Sequence, residues 1–348
     1  MLELHSPENA FERIEAYLRD HGFFAPGGEE LVADLYLGYG LSEPLRRTSA
    51  PAAPEPTNLP LAAVAVRDTT GSDPVMSASD IVRIGRWERT WTDAEYADAV
   101  ESVRTAIGRG DVYQVNLVQH LSADFEGDPV ALAGRLVGFA PRTRAGNGWA
   151  IVSASPELFL ARRDRRVWTA PIKGTRPLGE HVEGEKDAAE HVMIVDLERN
   201  DLSRVCLPGS VRWPELMAER ELAGVTHLVS RVEGTLREDV GLAQLLAATF
   251  PGGSVTGAPK IAALDLIAAL EPVGRGASMG ALGVVCGNGD VDLSLTIRTF
   301  AVSEGRVHLW VGGGIVWDSE PEAEIEESWT KARPLLAAIG APAEAWAS

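Results

Sequence analysis

The chain has 348 residues, 45% of them hydrophobic, with a mean hydropathy of −0.03, so it can fill one large domain or two modest ones. Its formal charge of −18, with no offsetting basic stripe, argues against a nucleic-acid partner. Two distant cysteines, an acidic N-terminus without an apolar leader and no apolar stretch of membrane length are typical of a cytoplasmic protein. We therefore expect no membrane partner.

The elements follow from hydrophobic periodicity along the chain. Residues 11–21 predict a short amphipathic helix, the proline-rich residues 50–60 a loop or linker, and residues 93–109 a helix after a Thr-Asp start. Further strands are predicted over 112–122, 149–162, 166–171, 225–234, 280–286, 293–303 and 307–311, and further helices over 185–204, 259–270 and 320–339. Because helices alternate with hairpin-like pairs of strands, the pattern favours the α+β class over a doubly wound sheet.

An acidic segment near the end of the chain predicts a possible metal site. Glu324, Glu327 and Lys331 lie at helical spacing, so their side chains share one helix face, and Glu190 precedes another largely apolar helical run. Carboxylates without histidine or cysteine neighbours are the ligands that Mg²⁺ favours. The alternative is that the acids only stabilise the first turn of a helix, where negative charge is favourable.

Three other features leave two interpretations each. Lys173, in APIKGTRPLG, is either a solvated turn residue or a partly buried nucleophile. The glycine segments FPGGSVTGAPK and VGGGIVWD match neither a P-loop nor a dinucleotide fingerprint, and allow either a bulge or the close approach of a ligand. His227 alternates with apolar residues and is by default a core histidine with its hydrogen bonds satisfied.

Together these segments resemble the chorismate-binding family, which includes anthranilate, aminodeoxychorismate, isochorismate and salicylate synthases. The motifs occur in order as GDVYQVNL, SASPELFL, PIKGTRP, EHVMIVDLERND, HLVSRVEG, FPGGSVTGAPK, DLSLTIRTF and VGGGIVWDSEPEAEIEESWTKA, over about residues 90–338. The resemblance implies an anthranilate synthase-like α/β/β/α fold, in which two large antiparallel sheets pack together with helices outside.

The resemblance also implies roles for individual residues. Glu190, Glu324 and Glu327 match the Mg²⁺ ligands, and the metal neutralises the ring carboxylate of chorismate. Arg298 matches the arginine that binds the enolpyruvyl carboxylate. Glu157 matches the general acid that assists loss of the C4 hydroxyl, a role that requires a raised pKa. A catalytic role is also implied for His227, and further substrate contacts are implied for Gly312, Gly313, Gly314, Lys331, Ser254, Thr175 and Gln114.

Two positions select among the subfamilies. Isochorismate and salicylate synthases carry a water-activating lysine where this chain has Gln114. Anthranilate synthases read Pro-Ile-Ala-Gly-Thr where this chain has Lys173 in Pro-Ile-Lys-Gly-Thr, so the chain looks closest to the aminodeoxychorismate type. In that chemistry the lysine amine adds at C2 and ammonia then adds at C4, which leads us to expect a depressed pKa for Lys173.

The predicted organisation is a shortened N-terminal segment over residues 1–85 that contributes to the fold, followed by a chorismate-binding catalytic domain over residues 86–342. With no glutaminase segment recognised, the implied partner is a separate glutamine amidotransferase subunit that supplies ammonia. Two alternatives remain open. One is a large component that makes anthranilate or 2-amino-2-deoxyisochorismate. The other is a chorismate-binding subunit without catalysis, against which an intact set of Glu157, Lys173 and Arg298 argues.

Overall fold

The computed structural model describes residues 1–68, 82–177, 185–222 and 225–341, which form seven α-helices and eighteen β-strands. The helices are α1 (Ala10–Asp20), α2 (Asp93–Gly108), α3 (Ala131–Arg135), α4 (Glu185–Ser203), α5 (Leu242–Thr249), α6 (Lys260–Leu270) and α7 (Pro321–Ala338). The strands are β1 (Leu2–Leu4), β2 (Leu31–Leu37), β3 (Ala62–Asp68), β4 (Val82–Ile84), β5 (Glu88–Arg89), β6 (Gln114–Gly127), β7 (Arg142–Gly146), β8 (Trp149–Ser153), β9 (Leu158–Arg163), β10 (Arg166–Ala170), β11 (Ile172–Pro177), β12 (Arg212–Leu222), β13 (Val225–Thr235), β14 (Gly257–Ala258), β15 (Ala281–Cys286), β16 (Val291–Leu295), β17 (Thr299–Ser303) and β18 (Arg306–Ile315).

Two large antiparallel sheets organise these strands. The ten-stranded sheet runs β1-β3-β2-β15-β16-β9-β10-β13-β11, with β12 paired to the other edge of β13. The eight-stranded sheet runs β14-β6-β18-β17-β8-β7, and β4 and β5 also pair with β6. The predicted α+β class with two packed antiparallel sheets is confirmed. Within the described ranges, no helix is both long enough and apolar enough to cross a membrane.

The helices cover the sheets with apolar faces that the sequence periodicity predicts. The helix α2 begins at a capping box, in which Thr92 and Glu95 bond reciprocally, and it buries Tyr96, Val100 and Val103 against the eight-stranded sheet. The helix α7 buries one face, centred on Trp329, against the same sheet. Helices α1 and α5 instead belong to the apolar cluster of the ten-stranded sheet. The predicted helices therefore all occur, each shifted by no more than about two residues.

The N-terminal residues are part of the ten-stranded sheet, because β2 pairs with β15 from Val32 to Leu37. The strands β1 and β3 extend that sheet to its edge. A domain boundary at residues 85/86 stays a prediction, and residue 342, the predicted end of the second domain, lies outside the described residues.

Two predicted strands are wrong in the same way. Residues 149–162 form two strands, β8 in the eight-stranded sheet and β9 in the ten-stranded sheet, and residues 293–303 divide likewise into β16 and β17. In the first, Pro156 has no N–H for a ladder and interrupts the pairing. In the second, Arg298 takes a left-handed conformation with φ 50°, which ends extended pairing. Both segments are crossovers between the sheets.

A buried ion pair connects α6 to the eight-stranded sheet. Arg275 is 1% exposed and donates to both carboxylate oxygens of Glu271 and to the backbone oxygens of Val255 and Asn116, over 2.6–2.8 Å. Glu271 also accepts from the amide of Val118 at 3.0 Å. The two charged groups therefore satisfy each other and also bond to three backbone groups, which is the condition for a buried pair to be tolerated.

We expect Arg275→Met to lower the free energy of unfolding by about 3–5 kcal/mol, because it leaves the Glu271 carboxylate buried without its cation. Denaturant unfolding of the two proteins measures this difference. The double variant Glu271→Gln/Arg275→Met should recover part of the loss, since it no longer buries an uncompensated charge. A single variant within about 1 kcal/mol of the wild type would contradict the assignment.

Candidate active site

The two crossovers lie side by side and position the first two candidate residues. The amide of Ala154 donates to the carbonyl of Arg298, and the amide of Leu295 donates to the carbonyl of Glu157, each at 3.0 Å. Non-glycine residues with positive φ, such as Arg298, cost about 1–3 kcal/mol and concentrate at functional sites. The backbone thus brings together Glu157, from the crossover between β8 and β9, and Arg298, from the crossover between β16 and β17.

Glu157 has the environment of a carboxyl group that resists ionisation. Its side chain is buried, 5% exposed, and accepts from Ser254 Oγ at 2.6 Å and from the amide of Ile172 at 3.5 Å. Burial raises the pKa of Glu157, opposed in part by the Ser254 hydrogen bond and by the charges of Lys173 and Arg298. The expected rise in this pKa is confirmed, and Ser254 lies in contact with this carboxylate.

Lys173 reaches across from β11 to Glu190 on α4. Its Nζ lies 2.5 Å from Glu190 Oε1, and Gln114 Nε2 donates to the same oxygen at 2.6 Å. The side chains of Lys173 and Glu190 are only 14% and 12% exposed, and Gln114 is fully buried. Two predicted site residues, Lys173 and Gln114, therefore bond to one carboxylate oxygen of a third, Glu190. The other polar atom of the Gln114 side chain, Oε1, is buried and has no hydrogen-bond partner among the described residues.

The expected depression of the Lys173 pKa is wrong for this arrangement. Burial lowers the pKa of Lys173, but the charge and hydrogen bond of Glu190, with further negative charge from Glu157 and Glu327, outweigh it and raise the pKa overall. The ammonium form is therefore stabilised by a convergence of carboxylates that spacing in the sequence does not reveal.

The glycine run Gly312–Gly314 leaves room for these groups at an incompletely paired part of β18. The pairing of β17 with β18 reaches only Phe300 opposite Leu309, so beyond it the described strands pair β18 on the β6 side alone. A methyl group at Gly314 would overlap the Gln114 amide and the Glu190 carboxylate. Both of these atoms are the ends of flexible side chains, so glycine here lets the two groups lie against the strand without being displaced.

The acidic helix α7 approaches β18 at the neighbouring residue, Gly313. A Cβ at Gly313 would lie 3.1 Å from Glu327 Oε1 and 3.4 Å from Glu324 Oε2. Lys331 Nζ donates to the carbonyl of Gly312 at 2.7 Å and to Glu327 at 2.8 Å. Glu324 is buried, at 3% exposed, whereas the Glu327 side chain is 52% exposed. The predicted helix face thus does meet the glycine run.

Thr175 and His227 lie on the neighbouring strands β11 and β13 of the ten-stranded sheet. They lie across from each other in the register of β11 and β13, and His227 Nδ1 contacts the carbonyl of Gly174 at 2.9 Å. Burial lowers the pKa of His227 below its usual value, so the ring is neutral at physiological pH. In the register Leu228, the next residue along β13, lies opposite Lys173, and the catalytic role of His227 stays a prediction.

The carboxylates do not form a ready-made metal cage. Across the described ranges, no three His, Cys, Asp or Glu side chains lie close enough together to hold a metal ion. The donor chemistry nevertheless fits a hard cation, because carboxylate oxygens of Glu190, Glu324 and Glu327 approach the adjacent residues Gly313 and Gly314 of β18. Glu190 contacts the ammonium group of Lys173, and Glu327 contacts that of Lys331.

Comparison with known proteins identifies the family to which the chain belongs. Residues 47–337 match the family described as chorismate binding enzyme. The chain belongs to this family. Aminodeoxychorismate synthase component 1 of Salmonella typhimurium is 40% identical over 266 residues, which are 72% of this chain and 58% of that protein. Anthranilate synthase component 1 of Thermus thermophilus is 42% identical over 269 residues, which are 73% of this chain and 58% of that protein.

The fold agrees as well. The crystal structure of anthranilate synthase component I from Streptococcus pneumoniae matches with a TM-score of 0.75 at 26% identity, covering 87% of this chain and 80% of that one. The chain spans less than two thirds of the length of both curated relatives. Since those relatives carry different activities in their names at nearly equal identity, similarity alone does not select a reaction for this member of the family.

Glu198 is a buried carboxyl group of this family member that the sequence reading missed. It is 7% exposed, lies against the Gly253–Ser254 turn that contacts Glu157, and its Oε2 has no hydrogen-bond partner in the described part of the chain. Burial, together with the charges of Glu157 and Asp201, raises the pKa of Glu198 well above its usual value. The buried part of α4 also contains His191 and Asp201, so no local pattern separates Glu198 from the exposed Asp196 of the same helix.

We expect Glu198→Gln to stabilise the protein increasingly as the pH rises above about 4.5. The folded pKa of Glu198 is raised, so the folded state holds a proton that the unfolded state releases, and wild-type stability falls with rising pH until the folded pKa is reached. Glutamine has no proton to lose, so the difference between the two proteins grows by about 1.4 kcal/mol per pH unit in that window.

Thermal or denaturant unfolding from pH 4 to pH 8 measures this difference, and Glu322→Gln is the matched control because that side chain is exposed. A difference that does not change with pH would show that Glu198 ionises in the folded protein as it does in the unfolded chain.

Proposed function

We propose that this chain is the large component of an aminodeoxychorismate synthase, which converts chorismate and ammonia into 4-amino-4-deoxychorismate. The observation that carries the proposal is Lys173, a buried amine in the Pro-Ile-Lys-Gly-Thr strand, within the fields of Glu190 and Glu157. Once its ammonium form has lost a proton to solvent, a buried amine beside a carboxyl group with a raised pKa can supply the nucleophile and the general acid together.

In the proposed reaction the Lys173 amine forms a bond to C2 of the ring as the C4 hydroxyl leaves. Glu157 donates the proton that makes the leaving group water, which the raised pKa of Glu157 allows. Ammonia then forms a bond to C4 as the bond between C2 and the lysine nitrogen breaks, and the ammonium group formed at C4 returns a proton to the Glu157 carboxylate. The net exchange is ammonia for water, and both Lys173 and Glu157 are regenerated.

The remaining residues would bind the two carboxylates of chorismate. Arg298, which is half-buried and lies close enough to Glu157 and His227 to lower the pKa of each, would supply a guanidinium group for the enolpyruvyl carboxylate. Backbone amides of Gly312–Gly314 and the Lys331 ammonium group supply further donors at the incompletely paired part of β18. Glu190, Glu324 and Glu327 would hold Mg²⁺, whose charge would neutralise the ring carboxylate.

A second candidate reaction is supported by the equal identity to anthranilate synthase component 1 of Thermus thermophilus. In that case ammonia would add at C2, giving anthranilate or 2-amino-2-deoxyisochorismate. Lys173 disfavours it, because an amine that occupies C2 blocks ammonia from that carbon. Ammonia would reach either reaction from a separate glutamine amidotransferase subunit, as we propose for this chain.

We expect product formation from chorismate and ammonium salts at alkaline pH only when Mg²⁺ is present. Exhaustive treatment with EDTA should abolish turnover, and Mg²⁺ should restore it. Glu327→Ala should lower kcat/KM about 100-fold or more, because it removes a carboxylate from the cation. Mass spectrometry measures the product and calorimetry measures Mg²⁺ binding. Full activity after removal of divalent cations would contradict the metal assignment.

We expect Lys173→Ala to be slow and to shift its residual product towards 2-amino-2-deoxyisochorismate, since C2 is then open to ammonia while Glu157 still protonates the leaving hydroxyl. Lys173→Arg separates two roles of the side chain, because it keeps a cation for Glu190 but supplies no nucleophile at neutral pH. Both variants should lose 4-amino-4-deoxychorismate formation in assays with ammonia. If either variant still made it at near wild-type rate, the covalent role would be refuted.

A further inference from the structure

A buried polar contact crosses the largely apolar interface between α7 and the eight-stranded sheet. Gln119 of β6 is 1% exposed and Ser328 of α7 is fully buried. Gln119 Nε2 donates to Ser328 Oγ at 2.6 Å, and the same hydroxyl donates to the carbonyl of Ile325 at 2.7 Å. Val311 and Trp329 belong to the apolar cluster that fills this interface. The Ser328 hydroxyl thus accepts from the sheet and donates within its own helix.

The oxygen of the Gln119 side chain is bonded as well. Arg89 of β5 donates to Gln119 Oε1 at 2.9 Å, and its guanidinium carbon lies 5.1 Å from the centroid of the Trp329 ring on α7. Arg89 also forms an ion pair with Asp93 in the first turn of α2. Because both polar atoms of the Gln119 side chain are bonded, its conformation is fixed, and it connects β5, β6 and α7 in one network.

This network holds α7 close to the two carboxylates that face the glycine run. Ser328 directly follows Glu327 and lies about one helical turn after Glu324, and both carboxylates approach Gly313. In the register of β6 and β18, Gln119 lies two positions from the pair that contains Gly313, so its side chain points to the same face of the sheet. The contact therefore fixes the part of α7 that carries Glu324 and Glu327.

Apolar contacts alone do not determine the position of α7 sharply. Trp329, Ala332 and Leu336 bury α7 against the sheet, but hydrophobic burial is non-directional and tolerates a small rotation or slide of the helix. A hydrogen bond between two buried groups depends on both distance and angle, and a partner left unpaired there is costly. A buried polar contact is therefore suited to fix register. Register matters here, because a site needs its ligands within about 0.5 Å of their working positions.

We propose that Gln119 and Ser328 are positioning residues, which set the place of α7 and through it the places of Glu324 and Glu327 as ligands of a divalent cation. The inference rests on the proposed function, in which these carboxylates would hold Mg²⁺. Both residues act through the helix backbone, because their polar atoms bond to each other, to Arg89 and to a carbonyl of α7. Loss of their contact should therefore weaken cation binding while every proposed ligand is still present.

The test uses the full chain and the variants Gln119→Met, Ser328→Ala and the two combined. Methionine keeps the length of the Gln119 side chain without its hydrogen bonds, and the Ser328 hydroxyl then still donates to Ile325. The matched control is Thr249→Val on α5, which likewise removes a buried hydroxyl that donates to a helical carbonyl, that of Leu245. Three measurements are made on each protein: the Kd for Mg²⁺ by calorimetry, the free energy of unfolding in EDTA, and kcat with ammonia as Mg²⁺ is varied.

Each single variant should raise the Kd for Mg²⁺ about tenfold, which is the lower end of the effect of residues that support metal ligands. The double variant should raise it no further than the larger single effect, because all three proteins lose the same contact. At saturating Mg²⁺ the kcat of each variant should return to within about threefold of the wild type, since the reacting groups are unchanged. The control should bind Mg²⁺ as the wild type does, whatever stability it loses.

Two results would overturn the proposal. One is a wild-type Kd for Mg²⁺ in Ser328→Ala, a small change that carries the test alone if Gln119→Met does not fold. The contact would then serve stability only. The other is a rise in Kd that also occurs in Thr249→Val in proportion to the stability lost, because the effect would then be general.

The two proposals fail separately. A wild type that binds Mg²⁺ but makes no 4-amino-4-deoxychorismate from chorismate and ammonia contradicts the proposed function, whereas the comparison of Kd values tests positioning without any reference to the product. A wild type that binds no Mg²⁺ contradicts the metal assignment and, with it, this inference.

Discussion

The site depends on one constraint, which is that the chain changes sheets twice at the same place. The hydrogen bonds from Ala154 to Arg298 and from Leu295 to Glu157 connect the two crossovers, so neither can move without the other. This junction fixes the general acid candidate and the guanidinium group relative to each other, and β11 then brings Lys173 beside them. Any substitution that restored straight extended pairing through either crossover would move Glu157 or Arg298 away from the other site residues.

Most of the fold could be predicted from the sequence, because amphipathic periodicity reports which residues are buried. The helices α2, α4 and α7 and the strand β13 all follow from that pattern and from their terminal residues. What periodicity does not report is the identity of the sheet in which a strand is buried. Residues 149–162 and 293–303 were therefore predicted as single strands, since apolar residues continue on both sides of each crossover.

The candidate site shows the same division between local and long-range information. Its residues were predicted from motifs, and the structure brings Gln114, Lys173 and Glu190 into contact, an arrangement that the motifs did not predict. The direction of the Lys173 pKa was predicted wrongly because it depends on how many carboxylates converge from α4, α7 and the crossover. Glu198 was missed for a related reason, since its burial comes from the way that α4 packs on the turn before β14.

The long strand β6 has a consequence for the synthesis of the protein. Its pairing with β18 runs from Val115 to Asp124, and β18 begins only at Arg306. At about 5–20 residues per second, a translating ribosome takes many seconds to make the chain between them, during which this edge of β6 has no strand to pair with. Open edges of long apolar strands are templates for aggregation. The nascent chain should therefore depend on a chaperone until β18 emerges, although the finished protein covers that edge completely in this segment.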